Sequence, residues 1–259
     1  MSNFIPANSA IPLASIKVKT SEIRDSISRI STGLRVLGGN DAGSQAVANT
    51  LNARAASFEA ASRNNQTGID LLSFVESALI EMSNLATRLK EVGEADTLST
   101  NDTNDTTALN AEASYLSDTI DSIVSSLTYN SISVLGTSAK TFNIGYNDSG
   151  DTHSIKTTTG ITATNISDAT NADTSADVTI GEITQSLGNV QGNFQALEGF
   201  RNVSSSSAAH LLQAATNLQN TEFALETAKL TKNAIVKNYA LAMVAQVNNQ
   251  ELDQLRILA

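Results

Sequence analysis

The side chains able to do bond chemistry are few and scattered. There are two histidines, His153 and His210, and no cysteine in the 259 residues. Zinc centres and nucleophilic triads need convergent partners around an imidazole. Neither histidine has a carboxylate at ligand spacing, and without thiols disulfides and thiolate metal sites are excluded. The sequence contains no HExxH helix, no GxxxxGK[ST] phosphate loop and no strand–GxGxxG–helix unit. Asp102 with Asp105, and Asp148 with Asp151, lack the calcium-loop pattern that ends in Glu, and read as solvated turn residues. Asn101-Asp102-Thr103 and Asn104-Asp105-Thr106 match the N-glycosylation triplet, but the pattern is short and polar loop composition is the favoured account. The expectation is a protein that is not an enzyme, with no metal and no cofactor.

What the sequence does carry is helical periodicity, concentrated at its two ends. Ile16, Thr20, Ile23, Ile27, Ile30, Leu34 and Leu37 recur at steps of four and three. Ile183, Leu187, Val190, Phe194 and Leu197 do the same, and Ala208, Leu211, Ala215, Leu218 and Leu225 resume the pattern. Such a repeat marks helices that bury one stripe against other helices. Apolar residues make up 41% and aromatics only 4%, which suits slender helical packing. Both prolines, Pro6 and Pro12, precede residue 13, so long uninterrupted helices are permitted beyond them.

Charge divides the chain in the same way. Residues 1–37 carry +3, residues 215–259 carry none, and the stretch between them carries −13. An acidic middle repels itself and stays solvated, whereas weakly charged ends can associate. No basic stripe with interleaved aromatics points to nucleic acid. No segment approaches the roughly 20 apolar residues of a membrane span. The first fifteen residues lack the basic and apolar regions of a cleaved secretory signal.

The spacing predicts an irregular start over 1–12, then a helix over 13–37. Gly38, Gly39, Asn40 and Asp41 break it. A second helix is expected over 44–92, with its seam running from Ala48 through Leu72 and Val75 to Leu89. A polar loop follows over 93–106, and a third helix carries Leu109, Ala113, Leu116, Ile120, Ile123 and Leu127. Between Tyr129 and Ile180 the composition turns to Thr, Ser, Asn, Asp and Gly. Phe142, Ile144 and Tyr146 alternate, as do His153, Ile155 and Thr157, with NDSGD between them, which predicts a β-hairpin. The helical period then returns to the C-terminus. The expected fold is mainly α: a long helical hairpin or coiled-coil rod with a small β-hairpin region at the middle of the chain. Residues 1–43 and 215–259 would form one terminal coiled-coil domain. Residues 44–214 would form a helical rod with a β-rich excursion at about 128–182.

The helical ends also carry motifs. Ser28 to Val36 reads SRISTGLRV; Asn40 to Gly43 and Gln45 to Ala48 follow, and Ala61 to Ile69 reads ASRNNQTGI. Near the other end, Phe223 to Lys232 reads FALETAKLTK and Ala242 to Asn248 reads AMVAQVN. In this order the motifs resemble the two terminal signatures of bacterial flagellins. The chain departs from that pattern at Asn40 and Ser44, where aspartate and glycine are usual, and at its Pro6- and Pro12-containing start.

The resemblance implies a structural subunit that polymerises into the flagellar filament and is exported unfolded by a type III system to the cell exterior. It implies a helical homopolymer as the main partner, with an export chaperone, a filament cap and hook-junction proteins besides. Ile23, Ile27, Ile30 and Leu34 are expected to bury against a C-terminal seam including Ala228, Ile235, Tyr239 and Ala242, and against neighbouring subunits. Gly33 and Asp41 would shape the turn between domains. A surface read by an innate immune receptor in relatives is matched by Arg88, Val92 and Glu112. Rival readings are a hook–filament junction protein of the same fold and a non-flagellar coiled-coil scaffold or adhesin.

Overall fold

The computed structural model describes residues 7–35, 42–162, 166–220 and 222–258. Leu37 to Asp41, including the Asp41 expected at a turn, lie outside the described residues. Five helices carry the fold: α1 (Ala7–Thr32), α2 (Ala42–Asp96), α3 (Thr103–Ser126), α4 (Ala172–Gln219) and α5 (Phe223–Leu258). Between α3 and α4 lie the strand pairs β1 (Thr128–Tyr129) with β2 (Ile132–Ser133), and β3 (Lys140–Gly145) with β4 (Thr152–Thr158). The chain divides into two compact units, one of residues 1–53 and 210–259, the other of residues 54–209.

The 54–209 unit has an apolar core. Leu72, Val75, Leu79, Met82, Ala86 and Leu89 of α2 are buried, at the four–three spacing seen in the sequence. They pack with Ala113, Ile120 and Val124 of α3 and with Ala176, Ile183, Val190 and Leu197 of α4. A helix that presents one such stripe is stabilised mainly by this tertiary burial.

Within this unit α2 and α4 run antiparallel. Contacting positions pair as Gln66 with Arg201, Gly68 with Leu197, Glu76 with Gln191, and Lys90 with Asp177. The paired residue numbers add to nearly the same total throughout, so the register does not slip. Two glycines set the closeness of approach. A Cβ on Gly68 would lie 2.7 Å from Leu197 Cδ1, and one on Gly93 would collide with the backbone of Asp173.

Helix α3 begins at Thr103, three residues before the predicted polar loop ends. Asp102 caps it: its side chain accepts from the N–H groups of Asn104 and Asp105, while the Asp105 carboxylate accepts from the Asp102 N–H. The acidic pair is thus a reciprocal capping box, satisfying donors that a helix start leaves open. The β3–β4 hairpin forms where alternation predicted it, pairing Phe142 with Ile155 and Ile144 with His153. The β1–β2 hairpin turns through Asn130 and Ser131, both at positive φ, the geometry of a tight two-residue turn. The glycines at 181, 188, 192 and 199 do not interrupt α4, which also starts eleven residues before the predicted Ile183.

The return from β4 to α4 is held by polar side chains from the helices. Ser186 Oγ accepts from the Thr159 N–H, Glu182 from Thr162, Ser117 Oγ from the Ile166 N–H, and Asn110 from the Ala169 N–H at 2.7 Å. At the hairpin tip Asn147 Oδ1 accepts from the Ser149 and Asp151 N–H groups, and Arg54 donates to Asp148 at 2.6 Å. Tyr146 stacks on Phe200 with ring centres 4.4 Å apart, and His153 lies 5.3 Å from the same ring. His153 is therefore a packing residue, and His210 is exposed.

Candidate assembly surface

The other unit is built on different lines. Helix α1 starts at Ala7 rather than after Pro12, with Pro12 inside it and buried. It ends at Thr32, where Gly33 takes φ +71° and its N–H donates to the Arg29 carbonyl at 2.9 Å. Glycine adopts that left-handed conformation without a Cβ clash, which is the usual way a helix stops. Beyond it the chain is tied to the end of α4: Arg35 N–H donates to the Gln219 carbonyl at 2.6 Å.

Helices α1 and α5 pair antiparallel, Ser26 meeting Glu226. The inward positions of α1 are Pro12, Ile16, Lys19, Ile23, Ser26, Ile30 and Gly33. Those of α5 are Glu226, Leu230, Asn233, Lys237, Ala240, Val244 and Val247. Each set steps by four and three, and none of these residues is exposed. This is coiled-coil spacing, yet half of its side chains are polar or small.

At its centre is a buried carboxylate. Glu226 is 4% exposed and Ser26 3%. Ser26 Oγ donates to Glu226 Oε1 at 2.9 Å, Lys229 Nζ to Glu226 Oε2 at 3.2 Å, and Arg29 lies 3.6 Å away. Burial pushes the Glu226 carboxyl up, but the Ser26 hydroxyl and the charges of Lys229 and Arg29 outweigh it, holding it below its ordinary value.

Other large apolar residues face outward. Ile27 is 51% exposed, Leu34 41%, Ile235 50% and Tyr239 71%. Ala228 and Ala242 are exposed too, while Ile23 and Ile30 are half-buried. The sequence-based seam of α1 is therefore corrected within the chain. Ile16, Ile23 and Ile30 do point inward, but the second row is Pro12, Lys19, Ser26 and Gly33. Leu13, Thr20, Ile27 and Leu34 form a neighbouring row left open. On α5, Ala228, Ile235 and Ala242 recur every seven residues and so share one face. That face is not the one turned to α1.

In the 54–209 unit, Arg88 bonds Glu112 at 2.7 Å and Glu91 at 3.0 Å, all three on the surface. Val92 is 1% exposed and belongs to the α2 core with Leu89, so it cannot be part of a receptor-facing surface. Among the described residues no group of carboxylates and histidines is placed to hold a metal ion, and no helix is long and apolar enough to cross a membrane.

The model of the bacterial flagellin N-terminal helical region matches residues 3–140, more than half of the chain. A flagellin of Halalkalibacterium halodurans is 27% identical over 258 residues, covering 93% of each chain. A flagellin of Bacillus subtilis is 27% identical over 92% of this chain and 93% of its own. A Salmonella typhimurium flagellin is 32% identical over 130 residues, 49% of this chain and 26% of its own. The crystal structure of Bacillus cereus flagellin is 26% identical, covering 60% of this chain and 92% of its own at a TM-score of 0.40. The chain belongs to the bacterial flagellin family. That is a family of structural filament proteins, not enzymes.

Proposed function

We propose that the chain polymerises into an extracellular flagellar filament through the outward faces of the α1–α5 pair. One observation carries this reading: half of the pair's inward positions are polar or small, while large apolar side chains face outward. Ser26, Glu226 and Asn233 are buried while Ile27, Leu34, Ile235 and Tyr239 are exposed. Leaving large apolar side chains in water forfeits about 1.5–3 kcal/mol for each that could be buried. Exposed apolar rows of this kind mark an interaction surface. A second copy of the chain supplies matching faces, and a heterologous contact that does not close builds a filament.

Gly33 stops α1. Before assembly the apolar faces need cover, which is the task of an export chaperone; a filament cap and hook-junction proteins meet the subunit at the growing tip and at the base. For an innate immune receptor only Arg88 and Glu112 remain as surface candidates. The test is sedimentation and electron microscopy of Ile27→Asp and Ile235→Asp. Filaments that form normally from both variants overturn the reading.

A further inference from the structure

Helices α2 and α4 share one seam in the 54–209 unit, but they are unequally suited to being helices. Between Ile69 and Val92, α2 buries Leu72, Val75, Leu79, Met82 and Leu89 and contains no glycine. The part of α4 in this unit, 172–209, buries Ile183, Val190 and Leu197, but Thr179, Ser186 and Ser204 occupy seam positions among and beyond them, all buried. The same stretch holds Gly181, Gly188, Gly192 and Gly199. Their steps of seven, four and seven put them on the side of α4 opposite Ile183, Val190 and Leu197. All four are exposed and none has a positive φ. A Cβ added to any of them would meet nothing within 4 Å. The fold of the chain therefore does not require glycine there, and each glycine weakens the helix relative to alanine through the backbone freedom it gives up. Helix α4 is held by packing rather than by propensity, and three hydroxyl side chains interrupt that packing. Its polar ties to α2, Lys90 with Asp177 and Glu76 with Gln191, are exposed, where such contacts contribute little.

We infer that α4 is the part of the 54–209 unit that opens first: residues 172–209 leave the seam as one local unfolding unit while α2 and α3 stay folded. Such units are drawn from segments with few buried apolar contacts. Helices α2 and α3 keep a tie of their own in Arg88 with Glu112, and Ala113, Ile120 and Val124 lie in the same core as the α2 leucines. Opening takes away Ser186, Glu182 and Ser204, which bond the Thr159 N–H, Thr162 and the Tyr146 carbonyl. The return loop and the β3–β4 hairpin loosen in the same event, and the α2 row from Leu72 to Leu89 is bared. The four glycines set how often this happens. None of these positions lies in the unit of residues 1–53 and 210–259, so the inference holds whether or not the chain polymerises.

The test is amide hydrogen exchange on the unassembled full chain, under conditions where closing outpaces exchange, so that each rate reports an opening equilibrium. In the parent, amides between Ile183 and Leu197 should exchange faster than those between Leu72 and Leu89. Each single Gly→Ala change at 181, 188, 192 or 199 should slow the α4 amides about four- to five-fold. Combining Gly181→Ala with Gly199→Ala, which are far apart, should multiply the two effects. Asp102→Ala supplies the opposite arm. Removing the α3 cap should quicken exchange in α2 and α3 about five-fold and leave the α4 amides unmoved, because α3 is still folded when α4 opens. A unit that opens all at once would pass that change to α4 as well. Equal exchange of α2 and α4 in the parent, Gly→Ala variants without effect on α4, or quickening of α4 by Asp102→Ala overturns the inference.

Discussion

The two units of this chain bury opposite things. In the 54–209 unit, Leu72, Leu79, Met82 and Leu89 are inside, packed into one apolar core. In the terminal unit Ser26, Glu226 and Asn233 are inside, and Ile27, Ile235 and Tyr239 are out. The first pattern belongs to a body that completes its core alone. The second is the pattern expected of one whose apolar faces are covered by other copies, as proposed above. The lesson is that helical period tells which residues need burial, but not which molecule buries them.

The contrast can be broken most severely at the ends. Deletion of residues 1–37 or 225–259 should abolish polymerisation, seen as loss of sedimentable filaments, while circular dichroism still reports folded middle helices. Ile27→Asp should do nearly the same from one site, because it puts a charge into an interface where it has no partner. Unchanged melting of the unassembled protein would place its effect between copies rather than within one.

In the 54–209 unit the largest response comes from the core. Leu79→Ala should cost about 2–5 kcal/mol in chemical denaturation, the range for deleting a buried leucine side chain. The same truncation at exposed Leu252 should leave denaturation unmoved.

Acid should sharpen the difference between the two seams. The Glu226 carboxyl is held below its ordinary value of 4.5 in the folded chain. A carboxylate depressed in this way contributes stability above its unfolded value, and that contribution disappears as pH falls through the folded one. Below pH 4.5 hydrogen exchange should therefore quicken across Ile23 to Ile30 as this contribution is lost. Glu226→Gln should remove that part of the acid dependence, and the α2 core should respond far less.

Smaller effects test local chemistry. Asp102→Ala should lower the stability of the 54–209 unit by about 1 kcal/mol through loss of the α3 cap. Asn65 is the exception in the apolar core: it is fully buried, and among the described residues neither of its amide atoms has a hydrogen-bond partner. Asn65→Ala should be neutral or stabilising in denaturant titration, since a buried unsatisfied amide costs about 1–3 kcal/mol. A marked loss would reveal a role that its surroundings do not explain.

Much of the fold was legible because one periodic signal dominated. Ala113, Leu116, Ile120 and Ile123 turn inward as their spacing requires, and Phe142 pairs with Ile155 as alternation requires. Three features were not legible. The Asp102–Asp105 box was hidden because two acidic residues in a polar run look like solvated turn. The residues of α1 before Pro12 are helical, although proline lacks the N–H a helix interior uses. The true inward row of α1 was hidden because it is less apolar than its neighbour. Ser26 lines it on account of the Glu226 carboxylate that it bonds two hundred residues away, which no window along the sequence contains. Apolar spacing picked out Ile27, Leu34, Ile235 and Tyr239, but it could not say that one chain by itself leaves them exposed.

The tight loop from Tyr146 to Asp151 closes a hairpin whose strands are paired on their own account. Asn147 fastens its base, and Ser149 and Gly150 stand exposed beyond the last strand pair. Chain added between those two residues lengthens a loop already closed, and each doubling of its length costs only about 0.6 kcal/mol. The subunit therefore has a natural port for foreign cargo: a peptide epitope spliced there would be displayed once per copy without asking any helix to shift its partner.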